Sequence, residues 1–458
     1  MWRHRPRILF LILGLSLIIK LSLFLLIANY HPTGIFEDDD PDAFEYQQLA
    51  LNLLNHGEFS RSVGAPFEVE TIRTPGYPLF LSGIYTVFGV YPWAAILFQI
   101  AVSLVTIFMA FKIAALLFNE KAGVLTAGLL ALDPVSTYYS QVILSETLFA
   151  CCLTGSLFLF LNAMRAESGS AGYVWGSFLL ALATYTRPTS YYLGLLIPVV
   201  LGFYWLFARD WKRALTVSLL VFLVQVICVG GWQVRNYFHT GSAEFSQVRG
   251  EYLLYASAAG LVAMKDGISL REAQDQLADQ HSRSLSPEIK AGSRAQLSES
   301  RGRFAVEVIK QHPALFLWAT LKNGTVLLIG PSNLSRLFGL SNAGLRESFL
   351  RFDFTGHAPV VWLAVLSLWA YGMGFLLVLY AGSFMLLVRR GLWNFNVLFL
   401  LLIVAYVVVV SSGPESYSRF RTPIIPVLCI LSAGGYRSAS GARGGARTAH
   451  TDDRERRS

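Results

Sequence analysis

Asp42 is the side chain in this sequence whose type and place fit chemistry better than structure. It belongs to the stretch EDDDPDAFEYQQLALNLLNHGEFS, where Asp40-Pro41 reads as a helix N-cap followed by proline at the first helical position and Gly57 reads as the stop. This predicts a helix of about four turns. At about 100° per residue, Tyr46, Leu49, Ala50, Leu53 and Leu54 share one face and Glu45, Gln48, Asn52 and Asn55 another, while Asp42 falls at the edge of the apolar face. A carboxylate on the oily side of an interfacial helix is costly unless something pairs it or uses it, and its natural use is proton transfer. A first-turn acid that merely favours the helix dipole, worth about 0.3–1 kcal/mol, suits Asp38, Asp39 and Asp40 better than Asp42. A metal-binding pair of aspartates is a further reading, but Pro41 interrupts the run.

A second set of charges stands where membrane topology does not favour arginine. Arg73, Arg187 in TYTRPTS, Arg235 in GWQVRNY, and Arg419 and Arg421 in SYSRFRTPIIP all fall at the outer ends of expected spans, with Glu146 beside them. They run against the positive-inside tendency, and an arginine at membrane depth costs roughly 2.5–3.5 kcal/mol on insertion scales. An anion at the membrane surface would balance them, and phosphate is the anion that the guanidinium fork fits best. Any one of them has the alternative of snorkelling into the headgroups. Arg419 and Arg421 lie next to Pro423 and Pro426, where a span begins with freed backbone groups, as at a cavity lining.

The elements that would position these side chains are membrane helices. Of 458 residues, 54% are hydrophobic and only 14% charged, and mean hydropathy is +0.49, which is too apolar for an ordinary soluble protein. The net charge of +8 is scattered in short clusters between apolar runs, the pattern of cytoplasmic loops and not of a nucleic-acid-binding stripe. Arg3, Arg5 and Arg7 precede a first span over 8–28, retained and starting in the cytoplasm. Residues 76–89 are too short to span and read as a second interfacial helix. Spans follow near 91–117, 122–140, 146–164, 172–186, 190–208 and 213–232, then 358–388, 394–411 and 423–436, ten in all with both ends inside. Between them, 233–312 reads as a helical loop on the outer side, and 313–330, which carries Lys322, as an interfacial or re-entrant segment. The expected division is an N-terminal transmembrane module over 1–232 with its site in the first outer loop at 30–90, an extracytoplasmic loop with the interfacial segment over 233–330, C-terminal helices over 331–436, and a disordered cytoplasmic tail over 437–458. Cys151, Cys152, Cys228 and Cys429 lie inside apolar runs and read as small buried residues. No histidine pair has metal-ligand spacing.

Asp42 with Tyr46 in DAFEYQQLALNLLNHGEFS, followed by RTPGYPLF, resembles the first outer loop of GT-C membrane glycosyltransferases, in the branch of the protein O-mannosyltransferases and the lipid A aminoarabinose transferase. The pieces LSETLF with Glu146, TRP with Arg187, WQVRNY with Arg235, and RFRTPIIPVL with Arg419 and Arg421 extend that resemblance from about residue 8 to 436. It implies an all-α polytopic fold and a transferase that passes a hexose or pentose from a polyprenyl-phosphate carrier to an acceptor on the outer face of a bacterial inner membrane. Asp42 would be the general base and Glu146 a second acidic position. Arg73, Arg187, Arg235, Arg419 and Arg421 would hold the donor phosphate, with Tyr46 and Tyr77 in the substrate pocket. Two positions depart from the pattern: Ala43 stands where a Glu often follows the Asp, and TPGYP replaces a double proline.

The residues agree with that chemistry, since displacement at an anomeric carbon needs a base for the acceptor hydroxyl and positive charge for the departing phosphate. A single carboxylate acting in line inverts the anomeric centre. With several arginines at the phosphate no cofactor and no divalent metal is expected, and the partners are the lipid-linked donor, an acceptor of undefined class and membrane lipids, with no nucleic acid. Tyr138, Tyr139, Tyr191 and Tyr192 either bound a sugar pocket or belong to the interfacial aromatic belt. The competing reading is a transporter or lipid flippase, which should carry charges near mid-span and paired broken helices; here the charges gather at the outer ends.

Overall fold

The computed structural model describes residues 5–30, 41–166, 169–290, 294–330, 334, 359–390, 394–413 and 418–437, and among them there is no β-strand. Ten helices make up the first half: α1 (Arg5–Tyr30), α2 (Pro41–His56), α3 (Gly76–Phe88), α4 (Pro92–Leu117), α5 (Glu120–Leu132), α6 (Pro134–Tyr139), α7 (Glu146–Ala166), α8 (Ala171–Thr186), α9 (Leu193–Phe207) and α10 (Trp211–Thr240). Among the described residues six helices are long and apolar enough to cross a membrane, which makes this a multi-pass membrane protein. Two shorter apolar helices, Pro313–Ile329 and Phe395–Ser411, accompany them.

The expected span at 122–140 is two helices instead of one. Pro134 takes the first position of α6, and the Asp133 carboxylate accepts the Ser136 N–H at 2.6 Å, so the chain restarts after α5 with a capped turn. The span expected at 423–436 likewise opens with a 3-10 segment, Ser418–Ile424, before helix 425–437. The helix of the Asp-rich stretch begins at Pro41 as the spacing predicts. It ends at Gly57, whose φ of 69° favours glycine and whose N–H returns to the Leu53 carbonyl at 3.1 Å. Asp38, Asp39 and the Asp40 cap lie outside the described residues, as does the tail beyond 437.

Two cores meet beneath the charged end of the bundle. The larger joins α4, α7, α8, α9 and α10 to 375–386, 397–407 and 424–431. The smaller gathers Ala43, Tyr46 and Ala50 of α2, Tyr77, Leu81 and Tyr85 of α3, and Tyr138, Tyr139 and Ile143. Asn52 departs from expectation: it is 4% exposed, because the loop after α2 folds back and receives its amide on the carbonyls of Ser60 (2.6 Å) and Ser62 (2.9 Å). The polar face is therefore covered at Asn52, while Asn55 on the same face stays exposed. Above both cores lie Val248–Asp266 and Leu270–Ser284, two helices bent by 114° around a small core of their own.

Candidate active site

Arg73 owes its position to a buried acid that the chain folds around. Glu70 is 1% exposed; its Oε1 accepts the backbone N–H groups of Thr71 (3.0 Å), Ile72 and Arg73 (3.0 Å), and its Oε2 takes Arg61. Residues 246–247 lock the same turn from the other side. Gln247 N–H donates to Thr71 O at 2.8 Å, Thr71 Oγ1 to Gln247 Oε1 at 2.6 Å, and Ser246 Oγ to Ile72 O at 2.6 Å. Gly76 lets the turn close on α8: a Cβ there would lie 2.7 Å from the Tyr185 carbonyl carbon. Arg73 is thereby brought beside the end of α8, where Arg187 follows.

The charges of five separate segments then alternate in one line. Glu70 pairs with Arg61, Arg61 with Glu45 (2.6 Å), and Glu45 with Arg73 Nε (2.6 Å). Arg73 continues to Asp42 Oδ1, and Asp42 Oδ2 takes Arg419. Arg419 Nε stands 3.8 Å from Glu146 Oε1, which accepts Arg187 Nη1 at 2.6 Å. Burial pushes the Asp42 carboxyl up, but Arg419 and Arg73 outweigh it and hold the group well below the usual carboxylate range. Burial pulls Arg73 down, while Tyr46, Asp42 and Glu45 more than reverse it. The Arg73 guanidinium also lies over the Tyr46 ring, 5.4 Å from its centroid.

Asp42, Tyr46, Arg73, Glu146, Arg187 and Arg419 line one wall of a cavity of about 840 Å³. Tyr191 and Tyr192 line it too, whereas Tyr138 and Tyr139 are buried in the smaller core. The helical loop contributes a further part of the lining, with Arg249, Tyr252, Tyr255 and Gln274. Tyr255 sits in a single π-helical stretch, Leu253–Ala258, whose Tyr255 carbonyl accepts the Gln274 amide at 2.8 Å. No motif in that loop marked these particular residues. Among the described residues no group of three or more His, Cys, Asp or Glu converges as a metal site.

Three of the predicted side chains lie behind the cavity instead of on it. Tyr77 is fully buried, bonded to Gln99 and packed edge-on against Tyr46 at 4.9 Å, so it supports Tyr46 from below. Arg235 donates to the Glu70 carbonyl at 2.9 Å and lies over the Trp232 ring at 4.6 Å, holding the Arg73 turn from outside. Arg421 donates to the carbonyls of Leu327 (2.8 Å) and Leu328 (2.7 Å), capping the end of Pro313–Ile329. Glu45, Arg61 and Glu70 were missed; their one sequence signal was an excess of charge around a predicted interfacial helix. Lys20, buried within α1 and reaching the Ser136 carbonyl (3.4 Å) and Ser140 Oγ (3.3 Å), was also missed, although a lysine in a run as apolar as 8–28 is itself a signal.

Residues 72–232 match the family of dolichyl-phosphate-mannose-protein mannosyltransferases. The match covers Arg73, Glu146 and Arg187. The fold is similar to that of the oligosaccharyltransferase AglB from Archaeoglobus fulgidus in complex with an inhibitory peptide and a dolichol-phosphate, with a TM-score of 0.54 at 14% identity over 97% of this chain and 52% of that one. The apo form of the Archaeoglobus fulgidus oligosaccharyltransferase gives the same TM-score over 93% and 50%. The chain shares the all-α membrane fold of these oligosaccharyltransferases, and its segment 72–232 is similar to that mannosyltransferase family. The chain spans about half the length of those oligosaccharyltransferases. ArnT from Cupriavidus metallidurans bound to undecaprenyl phosphate is similar at a TM-score of 0.43 and 17% identity, over 95% of this chain and 79% of that one. No curated protein sequence matches the chain. On this scaffold, α2, the turn at Arg73, the start of α7 at Glu146 and the segment at Arg419 converge on one cavity.

Proposed function

We propose that the chain is a membrane glycosyltransferase that moves a sugar from a polyprenyl-phosphate carrier to an acceptor hydroxyl on the extracytoplasmic face, with inversion and with Asp42 as general base. The observation that carries this is the meeting of Asp42, Arg73 and Arg419 at the wall of an 840 Å³ cavity. A hydroxyl lined up with the anomeric carbon needs a carboxylate on one side and a cationic cradle for the leaving phosphate on the other, and these three side chains are of those kinds. Arg187, anchored on Glu146, adds positive charge to the same wall. The match to a mannosyltransferase family and the dolichol-phosphate in the AglB structure support a lipid-phosphate donor. In this reading 1–232 together with the segment at Arg419 presents the donor side and the helical loop within 233–330 the acceptor side.

Lys20 is the observation on the transporter's side, since a buried charge within a span is what a transport path uses. The space beside it is only about 20 Å³, room for a water molecule and not for a solute. The experiment is to incubate purified protein in vesicles with labelled polyprenyl-phosphate sugars and sugar, lipid and peptide acceptors. Release of polyprenyl phosphate with label on an acceptor is expected; passage of intact donor across the bilayer without cleavage would replace transfer by transport. Impermeant maleimide should label Ser284→Cys from outside intact cells and Lys212→Cys only after permeabilisation, and the reverse would move the cavity to the cytoplasm.

A further inference from the structure

We infer that Arg73 and Arg419 serve Asp42 and the carrier phosphate in turn, so that one unit of negative charge passes from carboxylate to phosphate across the same two guanidinium groups during transfer. The inference rests on the proposed sugar transfer and adds to it a reason for the ion pairs seen at Asp42.

Both carboxylate oxygens of Asp42 are engaged, one by each arginine. Each arginine has a second acid as well, Glu45 for Arg73 at 2.6 Å and Glu146 for Arg419 at 3.8 Å. The two guanidinium groups are therefore also held by Glu45, which does not line the cavity, and by Glu146, which does, and Asp42 is the ligand they share at the cavity wall. A phosphate entering there meets the arginines already aimed and competes with Asp42 for their N–H groups.

The bookkeeping of the reaction makes this competition useful. A polyprenyl-phosphate sugar is a diester with one negative charge. As the acceptor oxygen bonds to the anomeric carbon, its proton passes to Asp42, which becomes neutral. The bond between the anomeric carbon and the phosphate oxygen breaks, its electron pair stays on that oxygen, and the carrier leaves as a monoester with two negative charges. Carboxylate plus phosphate carry two negative charges before and after, so the field of Arg73 and Arg419 is never left uncompensated. The arginines need only lean from one anion toward the other. Transition-state charge is then stabilised by groups already in place, with little reorganisation.

This arrangement makes an unusual prediction, because Asn at position 42 imitates the protonated acid. Farnesyl phosphate, titrated at pH 8 where the monoester is a dianion, should bind Asp42→Asn about tenfold more tightly than wild type, in line with the size of a neighbouring-charge effect at such a distance. The same variant without ligand should melt at a lower temperature than wild type, since two ion pairs are gone. Asp42→Glu, which keeps the charge, should show no gain, and Asp42→Ser supplies the neutral side chain if the Asn variant does not fold. Equal or weaker binding by the neutral variants would overturn the inference while leaving sugar transfer standing. Farnesyl phosphate binding no better than farnesol to wild type and variants alike would remove the lipid-phosphate site itself, and the inference with it.

Discussion

As the proposed general base, Asp42 must be able to take a proton, and at rest it is shared between two guanidinium groups that oppose this. Its depressed pKa has two consequences of defined sign. Stability from these ion pairs is present above the unfolded carboxylate value of about 3.9 and is lost as pH falls through the folded value, so the fold weakens only in strong acid. In catalysis, kcat/KM reports the free enzyme and kcat the substrate complex. The acid limb of kcat/KM due to Asp42 should therefore lie below pH 4, and the corresponding limb of kcat at higher pH, because the donor phosphate draws Arg73 and Arg419 away. Paired pH profiles with a saturable donor check this, and coincident limbs would show that the arginines stay with Asp42 throughout. At the same scale, Asp42 could be read from helix phase because its face conflicted with its charge. Glu70 could not, since its partners are the three N–H groups of a turn that exists only once 246–247 has packed on it.

The short 3-10 segment Ser418–Ile424 shows how two neighbouring arginines divide their work. Arg419 faces the cavity and Asp42, whereas Arg421, 1% exposed, turns inward to cap Pro313–Ile329. Arg421→Lys should cost about 2 kcal/mol in unfolding stability, because an ammonium cannot reach several carbonyls in the plane of a guanidinium, with farnesyl phosphate affinity close to wild type. Arg419→Gln should weaken that affinity about tenfold. Thermal unfolding and titration on the two variants separate these effects, and an exchange of the two phenotypes would refute the division. Misplacement against the positive-inside tendency flagged both arginines, together with Arg235, and the structure gives each a partner. That signal reports that a buried cation needs partners; whether they are backbone carbonyls or a carboxylate at a cavity depends on packing between segments far apart in the chain. The break at Asp133-Pro134 was readable in principle, as it repeats the Asp-Pro device at the start of α2.

Across the whole molecule, an alternating line of charge spans α2, the loop after it, α7, the end of α8 and the 418–424 segment, at one end of an apolar bundle. Composition and hydropathy identify the bundle, and span ends identify the side to which charge is gathered. The wall contributed by Tyr252, Tyr255 and Gln274 comes from the 233–312 loop, where binding contacts are expected but no motif picks out residues, so only the fold identifies which side chains line the cavity. A bundle that brings an acid and fixed cations together beside a cavity of this size, with largely apolar helices below, suits the transfer proposed above. The most direct test is the single-turnover rate of sugar transfer from a saturating polyprenyl-phosphate donor in Asp42→Asn against wild type. The rate should fall by about 10²–10⁴ while the variant still binds the carrier phosphate, as expected for loss of a general base. Transfer by Asp42→Asn at the wild-type rate would contradict the assignment of Asp42 and with it the account of the site.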